Sequence, residues 1–369
     1  MLEILNSTNL SPMSKPIRFG IIGAGMIAAG SAAAINRHES AEVIGAQDLN
    51  PERLKDLAEK AGIPRTFATA DALFADPDID AVYIAVPNKF HAPLALQAIY
   101  AGKHVILEKP FAMNYEEAQS VAKAATACGK AFTLGMNMRY LPEAQKLRAL
   151  AQDGYFGDIY HAKTCWFRRS GIPKLGTWFG NKALAGGGAI NDIGVHFLDL
   201  CLFIMGNFEP VAVTGMTYTK FGNRGLGEGS WGLSERGDIT FDVDDFASAF
   251  IRMKNGATVT LDVTWACHTP EPNRSDVQIY GTEAGATLHP SRVYKNGATA
   301  ADFTLLTELP AEPAYAHGCR FQNFINHLRG DEELCVTVEQ ALAVQRILDA
   351  VGLSAQTGRE VRLDTEASN

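Results

Sequence analysis

The sequence predicts an α/β protein built in two parts, on three observations. The apolar run Ile17–Ile22 opens directly into Gly23-Ala24-Gly25-Met26-Ile27-Ala28 and an alanine-rich stretch. From there to Leu134, apolar segments of strand and helix length alternate, the pattern of βαβ units and a parallel sheet. Beyond about Gly154 the pattern turns to long extended runs rich in β-branched and aromatic residues, which read as a mainly antiparallel sheet.

A chain of 369 residues is about two domains long, and 47% hydrophobic with 20% charged residues is ordinary globular composition. A formal charge of −8 without a long Lys/Arg run argues against nucleic acid as a partner. The longest apolar stretches read as interrupted by charges before they could cross a bilayer, so no membrane is expected. Residues 1–14 read as a disordered or extended tail, unlike a secretory signal. The six cysteines are scattered with no C-x-x-C pair, which points to a reducing compartment, the cytoplasm, and to no metal cluster.

Taken in order, Gly23 permits the tight turn, Gly25 lets a pyrophosphate approach the backbone, and Ala28 lets helix and strand pack closely. The helix predicted over Met26–Asn36 offers its N-terminus to phosphate. A second strand, Glu42–Gln47, ends at Asp48, placed to bond adenosine ribose hydroxyls and repel a 2′-phosphate, so NAD is favoured over NADP. The plainer alternative for Asp48 is a turn residue ahead of Asn50-Pro51. Helices follow at 51–61, 93–101 and 115–128, and strands at 81–86, 104–107 and 131–134. The first domain is therefore set at 15–137, a Rossmann dinucleotide-binding fold whose ligand lies outside the carboxyl ends of the strands. Two polar segments sit at those ends: Val86-Pro87-Asn88-Lys89-Phe90-His91 and Glu108-Lys109-Pro110. Lys109, fixed by the following proline, would point into the crevice as a proton donor or acceptor; otherwise it is a loop lysine.

The second domain, 138–369, reads as α+β with an open-faced, predominantly antiparallel sheet. Extended runs are expected at 157–169, 210–220, 239–253, 257–267 and 276–280, with Asn255-Gly256 as a hairpin turn. One sheet face is left for a partner subunit, predicting a homodimer or homotetramer. Phe221–Arg236, rich in glycine, reads as a long mobile loop, and helices at 315–329 and 338–353 are expected to pack back on the first domain. Within this part, Gly186-Gly187-Gly188 leads into the apolar helix 189–205, on which Asp192 and His196 stand four residues apart and share a face. An acid and an imidazole on an apolar helix are costly to bury without partners or work. A core histidine held by a carboxylate is the alternative.

Together these motifs resemble the Gfo/Idh/MocA family of sugar and cyclitol oxidoreductases: G-A-G-M-I-A, Asp48, V-P-N-x-x-H, E-K-P, N-M-R-Y-x-P and G-G-G-x-x-x-D-x-G-x-H-x-x-D, in the family's order from Gly20 to Asp199. The resemblance implies NAD as cofactor and Lys109, Asp192 and His196 as the catalytic group. It implies cofactor contacts at Gly23, Gly25, Met26, Ile27, Asp48, Pro87, Asn88, His91, Glu108, Lys109 and Asn137, with Trp178 and Tyr315 near the nicotinamide. Arg168, Arg169 and Trp178, in a segment similar to sugar- and inositol-acting branches, join Lys109, Asp192 and His196 as candidates for the substrate; a basic surface loop is the alternative. The implied reaction moves a hydride between a secondary hydroxyl of a sugar, cyclitol or related polyol and nicotinamide, in a metal-free site. The family also contains NAD-dependent glycoside hydrolases that oxidise transiently and eliminate, which stands as the alternative. A non-catalytic NAD-binding regulator is disfavoured because Lys109 and His196 are both present.

Overall fold

The computed structural model describes residues 13–232, 240–299, 301–315 and 317–364. Residues 1–12 of the expected tail and 233–236 of the expected loop lie outside the described residues. The chain forms two compact units, Met1–Met136 with Cys319–Leu342, and Asn137–Gly318 with Ala343–Asn369.

In chain order the first unit contains β1 (Ile17–Ile22), α1 (Ala28–Asn36), β2 (Ala41–Gln47), α2 (Pro51–Ala61), β3 (Arg65–Phe67), α3 (Ala70–Phe74), β4 (Ala81–Ile84), α4 (His91–Tyr100), β5 (His104–Leu107), α5 (Tyr115–Ala127) and β6 (Phe132–Leu134). The strands pair in the order β3-β2-β1-β4-β5-β6, all parallel. Strand order reverses between β1 and β4, and the carboxyl ends there open the crevice where such sheets take ligands. Helix starts are set by side-chain caps. Asn50 accepts from the Glu52 and Arg53 amides ahead of Pro51, and Asn114 accepts from the Glu117 amide. The first helix starts at Ala28 and not at Met26, because residues 23–27 are used by the glycine turn.

The second unit contains α6 (Pro142–Gln152), β7 (Ile159–Arg168), α7 (Lys182–Ala185), α8 (Val195–Met205), β8 (Pro210–Tyr218), β9 (Phe246–Met253), β10 (Thr258–Thr264), β11 (Asn273–Gly281), β12 (Gly285–Thr287), β13 (Arg292–Asn296) and β14 (Phe303–Leu306). The chain then forms α9 (Arg320–Arg329), α10 (Val338–Thr357) and β15 (Val361–Arg362). Among the described residues nine strands pair as β14-β13-β12-β11-β7-β10-β9-β8-β15, antiparallel except for β7 with β10. The Asn255-Gly256 turn joins β9 to β10, with Gly256 at φ +88°.

Register sorts the side chains of this sheet. Ala162, Thr164, Trp166 and Arg168 of β7 share a face with Val259, Leu261 and Val263 of β10. That face is covered by α8: Thr164 Oγ1 donates to the Phe197 carbonyl at 3.1 Å, and the Trp166 ring lies tilted 5.1 Å from the Phe197 ring. On the opposite face Tyr218, Phe246 and Phe167 form an aromatic row with 6.0 Å spacings, beside the exposed Met216 and Phe250.

Several expectations change. Lys182–Met205 is long and apolar enough to cross a membrane, against the expected interruption by charges, and most of it is buried as core of this unit. Residues 221–232 are not a free loop: the Ile172 amide donates to the Gly227 carbonyl at 3.0 Å, the Gly229 amide to Ile172 at 2.8 Å, and the Lys174 amide to Trp231 at 2.8 Å. The helix expected from Tyr315 begins at Arg320. Its residues Phe321, Phe324, Ile325 and Leu328 are buried in the core of the first unit with Phe19, Ile21 and Tyr83, Phe324 and Phe321 packing edge-on to Phe19 and Tyr83.

Candidate active site

In the first unit the glycine turn has a steric cause. Gly23 sits at φ +101°, and a Cβ there would fall 2.2 Å from the Ala85 carbonyl, so β1 and β4 approach too closely for any other residue. A Cβ on Gly25 would meet nothing within 4 Å, which leaves open room beside the backbone. Asp48 closes the turn, accepting from the Ala24 amide at 2.6 Å and the Asn50 amide at 2.7 Å. Met26 (47%), Ile27 (39%) and Leu49 (90%) stand exposed around it, an arrangement of apolar surface and a carboxylate that suits an adenosine moiety. The residues present therefore fit a dinucleotide.

The two polar segments are tied to each other. His91 is buried with Nδ1 2.7 Å from the Pro110 carbonyl and Nε2 2.9 Å from the Val86 carbonyl. Burial pushes its pKa down, while the two carbonyls and Glu108 pull it up. Both ring nitrogens face backbone carbonyls, so the buried ring braces the crevice. The Glu108 carboxylate is likewise turned inward: Tyr83 Oη donates to it at 2.7 Å and the Arg320 guanidinium pairs with it. Burial, then the charge of Glu108, pushes the Tyr83 hydroxyl well above its usual pKa, keeping it a donor. Gly135 lies close beside this cluster: a Cβ there would come 3.0 Å from Glu108 Oε1. Lys109, half-buried, follows Glu108 and precedes Pro110 across a cis peptide bond. Asn88 is buried and Pro87 half-buried at the end of β4.

In the second unit the triple glycine is explained by a distant acid. A Cβ on Gly188 would lie 1.8 Å from the Asp244 carbonyl oxygen. The Asp244 carboxylate accepts from the Gly188 amide at 2.7 Å and the Ile190 amide at 2.9 Å. Burial raises its pKa, opposed by those amides. Clamped this way, Ile190–Gly194 forms a π-helical turn before α8 begins. The expected single regular helix is thus widened where Asp192 sits, a device common at functional sites. Asp192 Oδ2 accepts from the Trp265 indole at 2.9 Å. Arg168 lies within electrostatic reach: burial lowers its pKa and the Asp192 charge raises it. Its guanidinium stacks 4.2 Å over Trp166 and reaches the Gly171 carbonyl only at 3.5 Å.

The structure therefore brings Arg168 within electrostatic reach of Asp192 in the second unit, with His196 four residues further on in the first turn of α8. It separates Arg168 from Arg169, which is exposed and donates to the Thr269 and Pro270 carbonyls. Trp178 stacks 3.9 Å from Phe179, and Tyr315 lies by Phe203 with its amide on Gln145. Asn137 starts the turn whose Arg139 is fully buried in a bidentate pair with Asp199, at 2.8 and 2.6 Å. Sequence reasoning missed Asp244, Trp265 and Arg320, each of which acts across a long sequence separation.

Comparison with known proteins agrees with this geometry. The profile of the oxidoreductase family with an NAD-binding Rossmann fold matches residues 17–136, and that of the GFO/IDH/MocA C-terminal domain matches residues 144–287. The chain is 32% identical over 355 residues to D-glucoside 3-dehydrogenase of Escherichia coli (strain K12), covering 95% of this chain and 98% of that protein. It superposes on GenD2 from gentamicin A biosynthesis, solved with NAD, at a TM-score of 0.76 and 27% identity, covering 96% and 98% of the two chains. It shares the fold of levoglucosan dehydrogenase, solved with NADH and levoglucosan, at a TM-score of 0.79 and 23% identity, covering 95% and 100%. The glycine turn with its exposed apolar rim, the motif order and both profile matches have one reading: the chain belongs to the Gfo/Idh/MocA oxidoreductase family and is an NAD(P)-dependent dehydrogenase that uses NAD(H).

Proposed function

We propose that this enzyme transfers a hydride between the C3 hydroxyl of a D-glucoside and NAD, with Lys109, Asp192 and His196 handling the proton. The observation that carries the reading is Asp192 on a clamped, glycine-led turn with His196 in the first turn of the helix that follows, in a chain similar over nearly its whole length to a D-glucoside 3-dehydrogenase. When bound, NAD supplies the hydride acceptor. His196 removes the proton of the reacting hydroxyl, a task imidazole suits near neutral pH. The Lys109 ammonium donates to that oxygen as negative charge develops, and Asp192 orients the pair. Gly23, Gly25, Met26, Ile27, Asp48, Pro87, Asn88, Lys109 and Asn137 line the cofactor, Trp178 and Tyr315 flank the nicotinamide, and Glu108 and His91 support the crevice from beneath. Of the two neighbouring arginines, Arg168, which interacts with Asp192, is the better placed to bond substrate hydroxyl groups.

The test is a panel of methyl D-glucosides, D-glucose, levoglucosan and myo-inositol with NAD and NADP, following reduced-cofactor absorbance. A methyl glucoside is expected to give the highest kcat/KM. Release of methanol without accumulating NADH would instead mean transient oxidation and elimination. Turnover of myo-inositol alone would move the substrate to the cyclitols.

Asp48→Ala should lower kcat/KM for NAD and raise it relatively for NADP, since it removes both a ribose acceptor and the charge that repels a 2′-phosphate. Native enzyme that prefers NADP would contradict the role given to Asp48.

The aromatic row Tyr218–Phe246–Phe167, with Met216 and Phe250, supports a homodimer or homotetramer through the open sheet face. Light scattering over a dilution series should give a multiple of 39.8 kDa; a monomer at micromolar concentration would refute it. The free thiols fit a cytoplasmic location.

A further inference from the structure

We infer that Trp265 is a positioning residue for the reaction: its indole N–H aims the Asp192 carboxylate. The inference rests on the proposed role of Asp192. Trp265 follows the end of β10, is fully buried, and donates from Nε1 to Asp192 Oδ2 at 2.9 Å across a sequence separation of 73 residues. Its own placement is rigid. Its amide donates to the Asp245 carbonyl at 2.9 Å, and its ring lies edge-on to Phe241 at 6.4 Å. Asp192, in contrast, sits in the π-helical turn, where the regular ladder is interrupted and the backbone alone does not fix a carboxylate's direction.

A buried N–H donated to a carboxylate is a strong, directional contact. It holds one oxygen and thereby sets where the other points. A phenylalanine at this buried position would fill most of the same space. What phenylalanine lacks is the donor.

Trp265→Phe should therefore fold, bind NAD with Kd within twofold of native, and keep KM for the best panel sugar within threefold. Its kcat should fall about tenfold, the order of one lost buried hydrogen bond to a charged group. In an Asp192→Asn background the same change should cost less than twofold, because the carboxylate it aims is gone. A measurement without altering Trp265 complements this. The chain has four tryptophans, so 5-fluorotryptophan labelling gives four ¹⁹F resonances, and Asp192→Asn should move one far more than the others. Native-like kcat in Trp265→Phe, a full tenfold loss on top of Asp192→Asn, or four unmoved resonances would each overturn the inference. Native-like kcat in Asp192→Asn would instead remove the proposed role of Asp192, and this inference with it.

Discussion

His196→Ala should leave NAD binding largely intact and cut turnover about 10²–10⁴-fold, the usual worth of a positioned general acid–base group. Lys109→Ala should cost at least as much, because on the proposed mechanism it removes the donor to the developing alkoxide. Asp192→Asn should lower the rate partly through His196. The double variant of His196 and Lys109 should be little worse than the poorer single one, since the groups act as a unit. The measurement is single-turnover NAD reduction at saturating cofactor, with NAD Kd determined separately by fluorescence. Near-native transfer in His196→Ala would reduce the pair to core architecture.

The largest expected loss of stability comes from Arg139→Met. Arg139 and Asp199 are 0% and 1% exposed and joined by two hydrogen bonds, with Phe203 and Phe208 each 5.1 Å from the guanidinium. Removing one partner leaves a buried charge uncompensated, at a cost of about 3–5 kcal/mol, on the order of 10 °C in Tm. Arg139→Met with Asp199→Leu should recover most of that, because well-packed apolar replacements remove both charges together. The pair joins the N-M-R-Y turn to the last acid of the triple-glycine motif, so this variant also asks whether two of the family's motifs exist for folding. A single variant as stable as native by thermal and urea unfolding would contradict the account.

What was legible in the sequence is what is local. The strand, the glycine turn and the alanine helix are written in the twenty consecutive residues 17–36, and Asp48 ends the next strand, so fold and cofactor class could be read together. The hairpin at Asn255-Gly256 is local in the same sense. What escaped depends on partners far along the chain. Gly188 is glycine because the Asp244 carbonyl passes 1.8 Å from where its Cβ would be, which no spacing around residue 188 reveals. The same clamp turns the start of an apparently regular helix into a π-helical turn. Arg169 looked equivalent to Arg168, but it lies just past the end of β7 and donates to the carbonyls of Thr269 and Pro270. The three-residue strand at Arg65–Phe67 is too short for any alternation to show.

The most direct test of the proposed reaction uses methyl α-D-[3-²H]glucopyranoside in a single turnover with saturating NAD. Mass spectrometry of the reduced cofactor should show the deuterium transferred to it, and the sugar product should be the 3-keto glucoside without label. Reduced cofactor free of deuterium, with the label retained at C3 of the sugar, would contradict hydride transfer from that carbon.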